Sequence, residues 1–188
     1  MLTAMNIRRT LALVVVVAII GIVVAVSVQL RGRSTSPLTL SRPVAAHIDV
    51  ALHKARFSGM RDGSPVWGLD ADRAEYDKDG NTVSVAGIRL DVEETRDAGP
   101  VTLTAENGVY SEQTRNILLK GKVRVQAGNG AVFDAESVEY QAGRFLIRTS
   151  DAVSFRQQRL ALTARGMEYD VREERCRFTG GVDAVVGR

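Results

Sequence analysis

The chain has 188 residues, with 25 Lys and Arg against 22 Asp and Glu and one cysteine, Cys176. The formal charge of +3 is uneven: five of the 25 basic residues precede Asp49 and none of the 22 acidic ones does, so residues 49–188 carry 20 basic against 22 acidic. A near-neutral body gives no electrostatic argument for nucleic acid, a lone cysteine excludes an intramolecular disulfide, and the length suits about one domain.

Residues 1–10 form a short tail carrying Arg8 and Arg9. Residues 11–30 (LALVVVVAIIGIVVAVSVQL) follow as an uncharged run. At about 1.5 Å per residue it spans about 30 Å, the thickness of a bilayer's hydrocarbon core. Fourteen of its residues are Leu, Ile or Val, worth roughly −4 to −8 kcal/mol of insertion free energy. This predicts a single transmembrane helix. The competing reading is a cleaved signal peptide with Ala25-Val26-Ser27 at the cleavage site. The run is longer than the roughly 7–15 residues of a signal core, which favours an anchor. Both readings send the remainder across the membrane. Arg31, Arg33 and Arg42 follow the run, so the charge rule does not fix its orientation; the short tail and export-compatible body favour N-terminus inside, C-terminus outside. Residues 31–47, with two prolines and three serines, read as a linker.

From residue 48 to 188 alternation with period two dominates, the signature of half-buried antiparallel strands. Val50 and Leu52 share one parity, Val83 and Val85 another pair, and Ile117, Leu119, Val123 and Val125 a third set. Phe145, Ile147, Val153 and Phe155 repeat the pattern, as do Cys176, Phe178, Val182 and Ala184. Asp79-Gly80, Asn129-Gly130 and polar runs supply the turns between them. The expected fold is all-β, built of consecutive hairpins behind one N-terminal transmembrane helix.

One phrase occurs four times: a large apolar residue, Ala two places on, Tyr five places later. The copies are Leu69/Ala71/Tyr76, Leu103/Ala105/Tyr110, Phe133/Ala135/Tyr140 and Leu162/Ala164/Tyr169, with Tyr-to-Tyr steps of 34, 30 and 29 residues. Self-similarity at this period marks a stacked supersecondary unit. The parity change between Ala and Tyr predicts a bulge or bend before each Tyr. Eleven residues after each Tyr stand Gly87, Gly121, Asp151 and Gly180, the third being the departure. Glycine inside a strand marks a bulge or a close backbone approach. A bend recurring in every unit curls the sheet into a trough with one apolar concave face. The four Tyr fit a packing role at strand ends.

Catalytic signals are sparse. His47 and His53 are the only histidines, and no HExxH, CxxC, GxSxG, P-loop or GxGxxG is present. The carboxylates are scattered over strand exteriors and turns, so the residues predict a protein that is not an enzyme, with no cofactor and no metal. Only 10 of 188 residues are aromatic and the inward set leans on Val, Ala and Gly. That lining leaves room for acyl chains and equally describes a modest sandwich core.

The anchor, the linker and the repeats L-x-A-x-x-x-x-Y…G-x-V resemble the LptC family, the periplasmic bitopic component of the lipopolysaccharide-export machinery. Gly59 followed by Trp67, Leu69 and Ala71 is similar to that family's G…W-x-L-x-A motif. The resemblance covers nearly the whole chain and extends to the wider LptA/OstA-like β-jellyroll superfamily. It implies an open β-jellyroll trough that accepts lipid A acyl chains of lipopolysaccharide from an inner-membrane ABC transporter of LptB/LptF/LptG type. The chains would pass to a periplasmic bridge protein of LptA type by edge-to-edge strand addition at residues 48–57 and 176–186. The location implied is the inner membrane of a Gram-negative bacterium, single-pass, with the C-terminal domain in the periplasm. Parity assigns the lipid-facing set: Val50, Leu52, Leu69, Ala71, Val83, Val85, Leu103, Ala105, Ile117, Leu119, Val123, Val125, Phe133, Ala135, Phe145, Ile147, Val153, Phe155, Leu162, Ala164, Phe178 and Val182. The alternative is a membrane-anchored β-domain scaffold that binds a protein partner and carries no lipid.

Overall fold

The computed structural model describes residues 50–61, 64–93, 98–173 and 175–187; the expected tail, transmembrane helix and linker lie outside these residues. Ten strands follow in chain order: β1 (Val50–Arg61), β2 (Ser64–Asp77), β3 (Thr82–Val92), β4 (Val101–Ser111), β5 (Ile117–Ala127), β6 (Val132–Gln141), β7 (Leu146–Thr149), β8 (Val153–Gln157), β9 (Leu160–Asp170) and β10 (Arg175–Val186). A 3-10 turn, Ala142–Arg144, stands before β7. All pairings are antiparallel, and apart from β7 and β8 each strand lies beside its neighbours in sequence. β7 and β8 together fill one place between β6 and β9. β1 and β10 are the two edges of the sheet. Among the described residues no helix is long and apolar enough to cross a membrane.

Cross-strand register explains the repeat, because one copy spans two strands. In the first row, Phe57, Leu69, Leu90, Leu103, Val125, Phe133, Phe155, Leu162 and Ala184 are successive partners from edge to edge. A second row pairs the repeat alanines with aliphatic residues: Ile88 with Ala105, Val123 with Ala135, Val153 with Ala164, and Ala164 with Val182. In the third, Tyr76, Tyr110, Tyr140 and Tyr169 alternate with Val83, Ile117 and Ile147. Aromatic rings set against β-branched neighbours are among the favourable pairs on an antiparallel face. The residue after three of these Tyr closes the following turn. Asp77 Oδ1 accepts from the Gly80 amide, Ser111 Oγ from that of Thr114, and Asp170 Oδ1 from those of Arg172 and Glu173.

All three rows face the same side, and that side is dry. Residues from β2 to β9 form one continuous apolar cluster, with Leu90 and Ile147 fully buried. A flat sheet leaves one face in water, so burial this complete means the sheet is rolled with its apolar face turned inward, as in a jellyroll.

Register shifts accompany the second, third and fourth copies, while β2 and β3 pair through the first copy without one, Asp70 opposite Arg89 and Arg73 opposite Ala86. Register shifts between Thr104 and Asn107 in β4, Lys120 and Val123 in β5, and Thr179 and Val182 in β10. Gly87, Gly121 and Gly180 have φ of 63°, 79° and 73°, a left-handed conformation that side-chain-bearing residues adopt at a cost. The carboxylates of Asp72 and Glu106 lie where a Cβ would stand on Gly87 and Gly121, and Arg165 crosses Gly180 in the same way. Each glycine is therefore required twice, by its dihedral and by the side chain above it.

Asp151 is the informative exception. The strand breaks there, β7 ending at Thr149 and β8 beginning at Val153. Asp151 is not among the positive-φ residues. Instead its carboxylate accepts from Ser137 Oγ at 2.5 Å, and its amide donates to Thr149 Oγ1 at 3.0 Å. Ile147 and Phe155, which share one parity in the sequence, thus lie on two strands. Phe145 lies outside both, closing the 3-10 turn with φ 53° and its ring under the Arg172 guanidinium at 3.8 Å.

Candidate functional site

The rolled interior and its two edges form the candidate site, and the inward set grades from packed to open across them. Leu69, Ala71, Leu103, Ala105, Ile117, Leu119, Val123, Val125, Phe133, Ala135, Ile147, Val153, Phe155 and Ala164 are buried. Val83, Val85, Leu162 and Phe178 are half-buried against the same cluster. At the edges the inward side chains meet solvent: Val50 is 51% exposed, Leu52 46% and Val182 51%. Register keeps these three on the inner face, Val50 opposite Tyr76, Leu52 opposite Ala74, Val182 opposite Ala164. Phe145 stands apart from the core.

The middle of the interior is filled by its own side chains. An apolar void of about 20 Å³ lies among Leu69, Val85, Ile88, Gly108, Tyr110 and Leu119. That is about the space of one water molecule, far below an acyl chain. Inward residues that simple alternation misses are Val138 and Met167, both buried. They follow the bulge and share the parity of the repeat Tyr, so alternation counted backwards from each Tyr finds them. Val186 continues the parity of Val182 and Ala184 and is also exposed.

Polar chemistry lies on the other face. Arg56, Asp70, Arg89, Thr104, Arg124, Asp134, Ser154, Thr163 and Asp183 are consecutive cross-strand partners over the whole sheet. Arg56 donates to Asp70 at 2.5 Å, Arg124 to Asp134 at 2.5 Å and Lys122 to Glu106 at 2.7 Å. Hydrogen bonding and attraction to these carboxylates raise the pKa of all three cations. A cleft of about 1130 Å³ crosses β4–β10, lined by Arg124, Asp134 and Arg165 and also by Val123, Ala135, Val153, Ala164 and Val182 of the inward set. Its charges are mixed and largely paired. His53 is exposed and His47 lies outside the described residues. Among the described residues no group of three His, Cys, Asp or Glu is placed to hold a metal. Burial pushes the Tyr140 phenol up, with Arg172 pulling it partly back.

The rolled antiparallel meander, apolar inside, charged outside and with two edge strands, is a jellyroll-like fold. No curated protein matches the sequence. Residues 13–186 match the family described as "Lipopolysaccharide-assembly, LptC-related". The chain belongs to the LptC family, a transport component of lipopolysaccharide assembly and not an enzyme family. Among solved structures it is similar to LptH, the LptA homologous periplasmic component of the lipopolysaccharide transport device from Pseudomonas aeruginosa. That likeness has 13% identity and a TM-score of 0.49, covering 65% of this chain and 95% of the other. Gly59 stands opposite Trp67, and the Trp67 indole occupies the space a Cβ on Gly59 would need.

Proposed function

We propose that residues 48–188 form a periplasmic trough for lipid A acyl chains, carried on a transmembrane helix at residues 11–30 with a tail at 1–10 and a linker at 31–47. In this reading a single-pass inner-membrane protein receives lipopolysaccharide from an ABC transporter of LptB/LptF/LptG type. It passes the lipid to a bridge protein of LptA type by strand addition. One observation carries it: the apolar inner rows run unbroken to both sheet edges and emerge into solvent at Val50, Leu52 and Val182. An unpaired strand edge is ordinarily a hazard, and a built-in strand partner explains why two are kept. Each CH₂ left in water costs about 0.8 kcal/mol, so a multi-chain lipid needs a continuous apolar path. The interior accommodates chains by parting from the half-buried margin at Leu162 and Phe178, and the energy for loading comes from the transporter.

The scaffold reading also has a specific observation behind it, the packed interior with its void of about 20 Å³. Photocrosslinking in membranes separates the two. Probes at Leu162 and Val182 face inward, those at Thr163 and Asp183 outward. Lipopolysaccharide adducts at the inward pair alone are the expected result. Protein adducts at β10 with no lipid adduct anywhere would establish the scaffold.

A further inference from the structure

Among the described residues two buried side chains are polar, Thr149 and Gln157. Thr149 is accounted for, since its Oγ1 accepts the Asp151 amide at 3.0 Å. Gln157 is 8% exposed, and its Oε1 has no hydrogen-bond partner. The other orphan oxygen, Glu75 Oε1, lies against the Arg73 guanidinium and so has a countercharge. Gln157 Oε1 has none.

β8 fixes where this amide points. Val153, Phe155 and Gln157 share one parity with no bulge between them, and Val153 and Phe155 belong to the core. Gln157 therefore faces inward, opposite Leu160. Leu160 in turn pairs with Val186 on the edge strand, which is 72% exposed. The unmet acceptor sits in the last inward row, at the end of the sheet away from the Tyr row, close to where the interior opens at β10. Leaving a buried acceptor unmet is destabilising, and an apolar residue of the same length would avoid it.

We infer that Gln157 is a subsite for the polar root of a lipid chain: Oε1 accepts a hydrogen bond from an amide N–H or hydroxyl at the point where an acyl chain joins its headgroup. This rests on the lipid-carrying reading above. Its ligand class is an amphiphile with N-linked or hydroxylated acyl chains. Ester-linked chains without a hydroxyl carry no donor and leave the oxygen unmet, and a site with an unmatched buried polar group rejects the analogue lacking its partner. The side chain thus gives an otherwise greasy interior a means of choosing lipopolysaccharide over bulk phospholipid.

The test uses the full chain in detergent micelles, with lipid A and dioleoyl phosphatidylcholine, which has no N–H or O–H donor, as probes and bound lipid counted by native mass spectrometry. Gln157→Met keeps the length of the side chain, and Gln157→Leu is the second variant should the first fold poorly. The wild-type protein is expected to favour lipid A, and the substitution to lower lipid A retention about tenfold, the equivalent of one hydrogen bond. Phosphatidylcholine retention and the melting temperature should hold or rise. Unchanged lipid A retention in a folded variant would overturn the subsite, as would a wild-type preference for the ester lipid. A lowered melting temperature with lipid selectivity intact would make the amide a purely structural group. Failure of the wild-type chain to retain either lipid would overturn the trough itself.

Discussion

At the scale of single residues, the glycines of the repeat separate two uses of the same side chain. Gly121 is buried with φ 79°, and Glu106 lies over the position a Cβ would take. Gly68, in mid-strand on β2, has nothing within 4 Å of that position and no positive φ. Gly121→Ala is therefore expected to cost about 1–3 kcal/mol of unfolding free energy. Gly68→Ala should fall within about 0.5 kcal/mol of wild type. Urea denaturation midpoints of the two variants check the contrast, and equal midpoints would refute the bulge argument. Asp151 shows the converse. Where the repeat lacks its glycine, the chain gives up strand continuity and recovers hydrogen bonds through Ser137 and Thr149.

At the scale of the strand, position across the sheet decides what a substitution does. Val123 and Val182 lie in the same inward row, on β5 and β10. Val123 is 1% exposed and Val182 is half in solvent. Val123→Asp places an uncompensated charge in the core and should cost about 3–5 kcal/mol. Val182→Asp should cost about 1 kcal/mol or less. Thermal melts followed by circular dichroism measure both. The second variant, still folded, is also the one that should lose lipid adducts, so function is best probed at the edge and not in the packed middle. This alternation of large, small and aromatic rows was legible in the sequence because it repeats every hairpin. The break between β7 and β8 was less so, since Phe145, Ile147, Val153 and Phe155 look like one strand until the backbone dihedral at position 151 is considered.

Over the whole molecule, each strand depends chiefly on its two neighbours, as in a linear array. β10 pairs with β9 alone. Deleting residues 175–188 should leave the other strand pairs in place, expose Leu162 and Ala164, and lower Tm by about 5–10 °C. Far-UV circular dichroism should retain the β signal. Complete loss of the β signal would show that closure of the roll depends on β10.

Nearest-neighbour pattern was enough to establish an all-β meander, its repeat, three of the four bulges and the identity of most inward residues. In a meander the partners of every strand are those adjacent in sequence, so period two and turn chemistry carry the register. Three facts needed the folded sheet. The inward residues of β2–β9 pack against one another, Phe145 turns away from them, and Gln157 faces in with an unmet oxygen. Burial here depends on curvature summed over all ten strands, and no window of sequence records that sum. How far the roll closes determines which apolar side chains are core and which are left at the edge.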